Sequence, residues 1–193
     1  QLDNVLTRLA MTDDSKLERV LDKLLPQLVA QLGTAGPQAR AKLLAVLSHV
    51  NKRVRSVESM RLPLTELVAL YGRSASAPLV LNFAIVYIEM AFARATREDC
   101  AAVAAPLLEG VGCRSEQHKP ILLRTAVDGL AALEKEGGAA ASVDSVRADF
   151  TFLRSELDKA TFMAFARDCM LYAPPSARAA SALDAAQAAA QAG

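Results

Sequence analysis

The segment between Leu43 and Arg97 constrains the fold most, because its apolar residues recur with the period of an α-helix. In its first part, large apolar side chains return every three or four positions, as one face of a helix does. These residues are Leu43, Leu47, Val50, Val54 and Val57. Basic residues and His49 fill the remaining circumference. We therefore predict a helix with one buried stripe and a basic outer surface.

The stretch from Pro78 to Arg94 is apolar on nearly all sides. Its large apolar residues are Leu79, Val80, Leu81, Phe83, Ile85, Val86, Ile88, Met90 and Phe92. A helix of this kind is covered by neighbours on several sides. The alternative is a membrane span, which requires about 18 to 20 apolar residues, whereas this run is shorter and contains Asn82 and Glu89. We predict a buried helix and no membrane insertion.

Composition favours helices along the whole chain. Of the 193 residues, 52% are hydrophobic, and only 5% are aromatic. β-Branched residues nowhere alternate with polar ones over the length of a strand. The turn signals give about eight helices at spacings of about 20 residues, which suits about four antiparallel pairs. We predict an all-α, HEAT/armadillo-like helical solenoid over residues 1–175, and an irregular helical bundle is the alternative.

Caps and helix-breaking residues set the predicted boundaries. Thr96, with Asp99 three residues later, resembles a capping box that begins a helix. A long last helix is expected from about Ser145 to Leu171, carrying the apolar stripes Val146, Phe150, Leu153, Leu157 and Phe162, Phe165, Cys169. Other helices are expected at about 2–10, 14–32, 64–70, 96–111 and 116–133. The Ala-rich residues 176–193 are predicted to form a weakly helical or disordered tail.

Residues suited to catalysis are scarce. His49 and His118 lie on different helices, without Cys or carboxylate groups at metal-ligand spacing, and we predict that both are solvated. Cys100, Cys113 and Cys169 form no close pair, and an odd number argues against a disulfide framework, so we predict apolar core positions in a reducing compartment. Phosphate-binding and hydrolase motifs are absent from the sequence. We predict a protein that is not an enzyme and needs no cofactor or metal.

One group of charged residues suggests a binding role. Lys52, Arg53 and Arg55 lie near the predicted C-terminal end of the basic helix, and Arg61 follows that end. Cations at a helix C-terminus also interact favourably with the helix dipole, which is a purely structural interpretation. The functional interpretation is contact with an acidic protein surface. Nucleic acid is disfavoured, because the net charge is only +1 and no aromatic residues accompany the group.

Three segments of this region resemble one protein family. They read LLAVLSHVNKRVRS, RLPLTELVALY and LVLNFAIVYIEMAF. Their order along the chain and their amino-acid sequences are similar to the N-terminal region of the very large HEAT-repeat family of proteasome adaptor and scaffold proteins. A looser likeness extends over residues 2–175, while residues 114–144 and the tail match little. No catalytic signature is part of the resemblance.

The resemblance implies a scaffold module that helps to hold proteasome core and regulatory particles together and recruits other proteins, in the cytoplasm and nucleus. A HEAT-like adaptor that serves transport or trafficking and binds acidic peptides is the alternative, and an enzyme is disfavoured. Because the chain begins with Gln1 rather than Met, we expect it to be part of a longer protein. Its C-terminal edge would then be covered by the next repeat, and on its own the chain should self-associate there.

Overall fold

The computed structural model describes residues 7, 9, 11–74, 77–131 and 153–172, and over these residues it contains α-helices, one 3₁₀ helix and no strand. The helices are α1 (Asp14–Gln31), α2 (Pro37–Ser56), α3 (Leu64–Arg73), α4 (Pro78–Phe92), α5 (Arg97–Leu108), the 3₁₀ helix (Val111–Cys113), α6 (Lys119–Ala131) and α7 (Glu156–Met170). The predicted all-α class is confirmed, and the arrangement is consistent with a helical solenoid. Of the predicted helix at 2–10, only residues 7 and 9 are described, and both are helical. The stretch 132–152 and the tail at 176–193 lie outside the described residues.

The predicted apolar stripe of α2 forms part of the core. Leu43, Leu47, Val50 and Val54 are each at most 1% exposed, because the helical period places them on one side. The other side of α2 carries exposed residues such as Lys52. The buried stripe therefore follows the sequence prediction, except that Val57 lies one residue beyond the end of the helix and is only partly buried. The predicted outer surface is confirmed for Lys52 and Arg55, whereas Arg53 and His49 are half-buried.

Helix α4 is buried on several sides, as its composition predicts. It contacts α1, α3 and α6, and Tyr87 reaches across to donate a hydrogen bond to the Leu47 carbonyl of α2 at 3.1 Å. Only a narrow edge that includes Asn82 and Val86 is exposed. Among the described helices none is both long and apolar enough to cross a bilayer.

Local caps explain where the helices begin and end. The Thr96 side chain accepts a hydrogen bond from the Asp99 backbone N–H at 3.2 Å, which confirms the predicted start of α5. The prediction that this helix continues through Val111 is wrong, since α5 ends at Leu108. Gly110 follows in the left-handed conformation with φ +71°, which glycine adopts easily and which cannot continue a helix.

The single long last helix predicted from the sequence is also wrong in its described part. Residues 153 and 154 are not helical, and α7 begins at Glu156. Ser155 caps it by accepting the Asp158 backbone N–H at 3.4 Å. Leu153 is buried as predicted, but Leu157 is 51% exposed and Cys169 is exposed, so neither belongs to an inward stripe.

A buried carboxylate fixes α7 to the corner between α5 and α6. Asp158 is only 5% exposed and accepts backbone hydrogen bonds from Gly110 at 3.0 Å and Gly112 at 2.7 Å. The backbone of Leu157 lies so close that a Cβ on Gly112 would come within 2.9 Å of the Leu157 carbonyl carbon. Glycine is therefore required at position 112 for α7 to reach this corner.

Helices α5 and α6 cross at another glycine. A Cβ added to Gly129 of α6 would lie 2.5 Å from the Cys100 carbonyl oxygen and 3.0 Å from the Ala104 Cβ of α5. These are backbone and short side-chain atoms, which cannot move away without separating the helices. The close crossing thus depends on the missing side chain.

Replacing Gly129 with Ala should destabilise the fold by about 1–3 kcal/mol, because the new methyl group overpacks the crossing. Gly72→Ala is the matched control: a Cβ there meets nothing within 4 Å, and the helix should gain up to about 1 kcal/mol. Urea unfolding followed by circular dichroism measures both changes. Equal stability of the two variants would contradict the close crossing.

Candidate protein-interaction surface

The C-terminal end of α2 presents two exposed cations. Lys52 and Arg55 are both exposed and stand three positions apart, so they lie on neighbouring parts of one helix side. The helix ends one residue later, at Ser56. Their charges interact favourably with the helix dipole and remain accessible to an anionic surface.

Arg53 is used inside the fold. Its Nη1 donates to the backbone carbonyl of Leu9 at 2.6 Å and to that of Thr12 at 2.8 Å, and the side chain is half-buried. These two carbonyls belong to the chain that precedes α1. The guanidinium therefore joins α2 to that chain over more than 40 positions of sequence.

Arg94 also joins separate parts of the chain through backbone carbonyls, and the sequence analysis did not predict this role. Its guanidinium donates to the carbonyls of Met90 at 2.8 Å, Glu58 at 3.1 Å and Val54 at 3.4 Å. One side chain thus holds the last turn of α2, the loop after it and the last turn of α4. Arg94 follows an apolar helix without any local pattern, so only the tertiary structure identifies its role.

Arg61 lies apart from the other predicted cations, in a groove of about 330 Å³. The groove is bounded by α1, the segment before α3, and the first turns of α3 and α5, and its charged lining residues are Glu18, Arg19, Asp22, Arg61, Glu66 and Asp99. The Arg61 backbone N–H donates to a Glu18 carboxylate oxygen at 3.1 Å. Carboxylates outnumber cations here, so Arg61 stands in a mixed-charge environment rather than on a basic surface.

Neither histidine is solvated as predicted. His118 is only 7% exposed, and its Nδ1 lies 3.0 Å from the Tyr71 hydroxyl, because the turn before α6 folds against α3. Arg114 stacks over the Tyr71 ring, with 4.7 Å from its guanidinium carbon to the ring centre. Burial, and then the positive charge of Arg114, lower the pKa of His118. His49 is half-buried with its Nε2 enclosed by protein atoms.

The cysteines divide between core and surface. Cys100 is buried as predicted, but Cys113 and Cys169 are exposed, because the 3₁₀ helix and the end of α7 turn them outward. All three are free thiols. In the described ranges, no three His, Cys, Asp or Glu side chains converge to form a metal site.

Comparison with known proteins adds a family match. The family model described as "Proteasome component ECM29, N-terminal" matches residues 2–192. The human "Proteasome adapter and scaffold protein ECM29" is 28% identical over 128 residues, which cover 66% of this chain. The Drosophila melanogaster "Proteasome-associated protein ECM29 homolog" is 32% identical over 116 residues, or 60% of the chain.

The chain matches only a small part of these relatives. The aligned residues span 7% of the human protein and 6% of the Drosophila protein. No solved structure is significantly similar to the chain.

Removing the guanidinium of Arg53 should destabilise the protein. Arg53→Met leaves the partly buried carbonyls of Leu9 and Thr12 without this donor, and we expect a loss of about 1–3 kcal/mol of unfolding free energy. Arg55→Met, at an exposed position on the same helix, should change stability by no more than about 0.5 kcal/mol. Urea unfolding compares the two, and an equal loss would show that Arg53 is not a structural residue.

Stability should depend on pH through His118. Because its pKa is lower in the folded protein than the ordinary 6.5, the unfolded chain binds the proton more readily. The contribution of His118 is therefore complete above about pH 6.5 and is lost as the pH falls towards the lowered pKa. His118→Asn, which can keep a hydrogen bond to Tyr71 without titrating, should show a shallower loss of unfolding free energy between pH 7.5 and 5.5. Parallel pH profiles for the two proteins would refute this.

Proposed function

Because this chain belongs to the family of the N-terminal part of proteasome component ECM29, we propose that it is a scaffold and adaptor module of a proteasome-associated protein. Its partners in this proposal are the core and regulatory particles of the proteasome, together with other proteins that the scaffold recruits. Stacked helix pairs suit a scaffold, because they present an extended, rigid surface to which large proteins can bind. Within a protein much longer than this chain, the module would supply one contact among several.

The contact that we assign to this module is electrostatic. Lys52 and Arg55 are the exposed cations at the end of α2, and an acidic surface on a partner would meet both at once. Charged groups at the rim of an interface mainly raise the association rate and exclude wrong partners. Arg53 contributes indirectly in this proposal, because its bonds to Leu9 and Thr12 hold α2 in place. Arg61 contributes a further cation next to the carboxylates of the groove.

We also propose that the module is not an enzyme. The groups that could transfer protons or attack a substrate are poorly placed for it: His118 is buried against Tyr71. Burial raises the pKa of the Cys100 thiol, and the carboxylates of Asp99 and Asp128 raise it further, so the reactive thiolate is disfavoured. The observation that supports the scaffold proposal most strongly is the family match over nearly the whole chain.

The proposed location is the cytoplasm and nucleus. Free thiols persist in reducing compartments, and all three cysteines of this chain are unpaired. Two of them are exposed, where an oxidising compartment would favour intermolecular disulfides. This supports a reducing environment for the scaffold.

Copurification from cell extract tests the proposed function. The tagged chain should migrate with proteasome particles on native gels, and Lys52→Glu with Arg55→Glu should reduce the bound fraction by about tenfold at low salt, because two attractive contacts become repulsive. Lys23→Glu with Arg73→Glu is the matched control, since it makes the same charge change at exposed positions elsewhere.

Two results would contradict the proposal. If the wild-type chain and a longer form that includes it both fail to migrate with any proteasome particle, the scaffold role is wrong and an adaptor for transport or trafficking is favoured. An equal loss for both double variants would show that only net charge matters, and that Lys52 and Arg55 form no specific contact.

A further inference from the structure

Exposed apolar side chains are concentrated on one helix. Six large apolar residues in the described chain are more than half exposed, and five of them lie on α7 or directly after it. These five are Leu157 (51%), Met163 (64%), Met170 (81%), Leu171 (72%) and Tyr172 (66%), and the sixth is Met11 (82%). A contiguous apolar patch of this kind marks an interaction site, whereas single exposed apolar residues do not.

Helix α7 carries two stripes on opposite sides. Its inner stripe is Asp158, Phe162 and Phe165, which bind the α5–α6 corner and pack against the core. Its outer stripe has the same four-three spacing and consists of Glu156, Ala160, Met163, Arg167 and Met170, flanked by Ala164 and Leu171. This spacing is that of a helix-packing seam. All members of the outer stripe are exposed.

The outer stripe is unlike the solvent face of a terminal helix. End repeats of solenoids require a polar outer face to remain soluble, and the outer face of α7 instead presents methionine, leucine and alanine. Methionine side chains are flexible and adapt to an apposed helix. The stripe is therefore built to pack against a second helix.

We propose that the outer stripe of α7 pairs with the same stripe on a second copy of this chain, with the two helices antiparallel about a two-fold axis between Met163 and Ala164. This register brings Met163 onto the partner's Ala164 and Ala160 onto the partner's Arg167. It is self-complementary, as a two-fold interface must be. The pairing is independent of the proposed proteasome association and goes beyond it.

Charge selects the antiparallel arrangement. Glu156 lies at the N-terminal end of the stripe and is exposed, and Arg167 lies three turns further on and is exposed as well. Within α7, Glu156 pairs with Lys159 at 2.7 Å and Arg167 with Asp168 at 2.8 Å. Exposed pairs of this kind contribute little, so both side chains can exchange them for a pair with the second copy. In the antiparallel register, Arg167 faces the partner's Ala160, one helical turn from the partner's Glu156, within reach of its long side chain. A parallel pair would set Glu156 against the partner's Glu156 and Arg167 against the partner's Arg167. Two intermolecular ion pairs thus favour one orientation.

The size of the stripe sets the strength of the dimer. Helix α7 has 15 residues, so it is about 22 Å long at 1.5 Å per residue. One helix pair of this length buries less than the roughly 1,600 Å² of a standard stable interface. The dimer is therefore weak, and its fraction rises with concentration in the micromolar range and above.

Sedimentation velocity on the full 193-residue chain, from about 1 to 500 µM, tests the pairing. We expect the wild-type chain to pass from monomer to dimer, and Met170→Glu to remain monomeric. Met11→Glu is the matched control, because Met11 is equally exposed at 82% against 81% for Met170, yet lies outside α7. A monomeric wild-type chain throughout, or the same response from both variants, would overturn the proposal.

A charge exchange tests the register. Glu156→Arg should weaken the dimer about tenfold, because the introduced guanidinium then lies close to the partner's Arg167, and the double variant Glu156→Arg with Arg167→Glu should restore it. Thermal unfolding by circular dichroism verifies that each variant keeps its helices. A dimer that Glu156→Arg leaves unchanged, or that the double variant fails to restore, would overturn the antiparallel arrangement.

Discussion

The structure depends on the burial of α4, which contacts α1, α3 and α6 at the same time. Residues of this helix such as Ile88 and Ala84 are fully buried, and burying one large apolar side chain contributes about 1.5–3 kcal/mol. The hydroxyl of Tyr87, which α4 carries into this core, donates to the Leu47 carbonyl. Desolvation raises the pKa of Tyr87 to about 12, so the hydroxyl stays neutral and keeps its proton for that bond.

Arginines complete the hydrogen bonding at the helix ends. The last carbonyls of a helix have no partner within it and must find donors elsewhere. Arg94 supplies donors to Val54 near the end of α2 and to Met90 near the end of α4, and Arg97 supplies one to Ala131 at the end of α6. A guanidinium suits this role, since it offers five donors in a fixed plane. The guanidinium groups of Arg94 and Arg97 thus form hydrogen bonds within the fold.

Sequence periodicity predicted the helices because it reports a local property. The stripe of α2, the buried α4 and the Thr96 cap all depend on residues within one or a few turns, and all three are confirmed. The bonds of Arg53 to Leu9, and of Asp158 to Gly112, join residues more than 40 positions apart. No local pattern distinguishes these side chains from solvated ones, so the sequence analysis placed Arg53 on the basic surface and did not identify Asp158.

Helices α4 and α7 both carry apolar residues on more than one side, but they differ in how many neighbours cover them. A helix with apolar residues on more than one side is stable only when more than one neighbour covers it. Helix α4 has those neighbours, while in the described part of the chain α7 has them only on its inner side, where Phe162 and Phe165 pack against the core. Two hydrogen bonds, from the backbone N–H groups of Gly110 and Gly112 to the Asp158 carboxylate, add to this attachment. Any helix that binds the outer stripe of the folded chain therefore also stabilises α7, because a ligand of the native state shifts the folding equilibrium towards it.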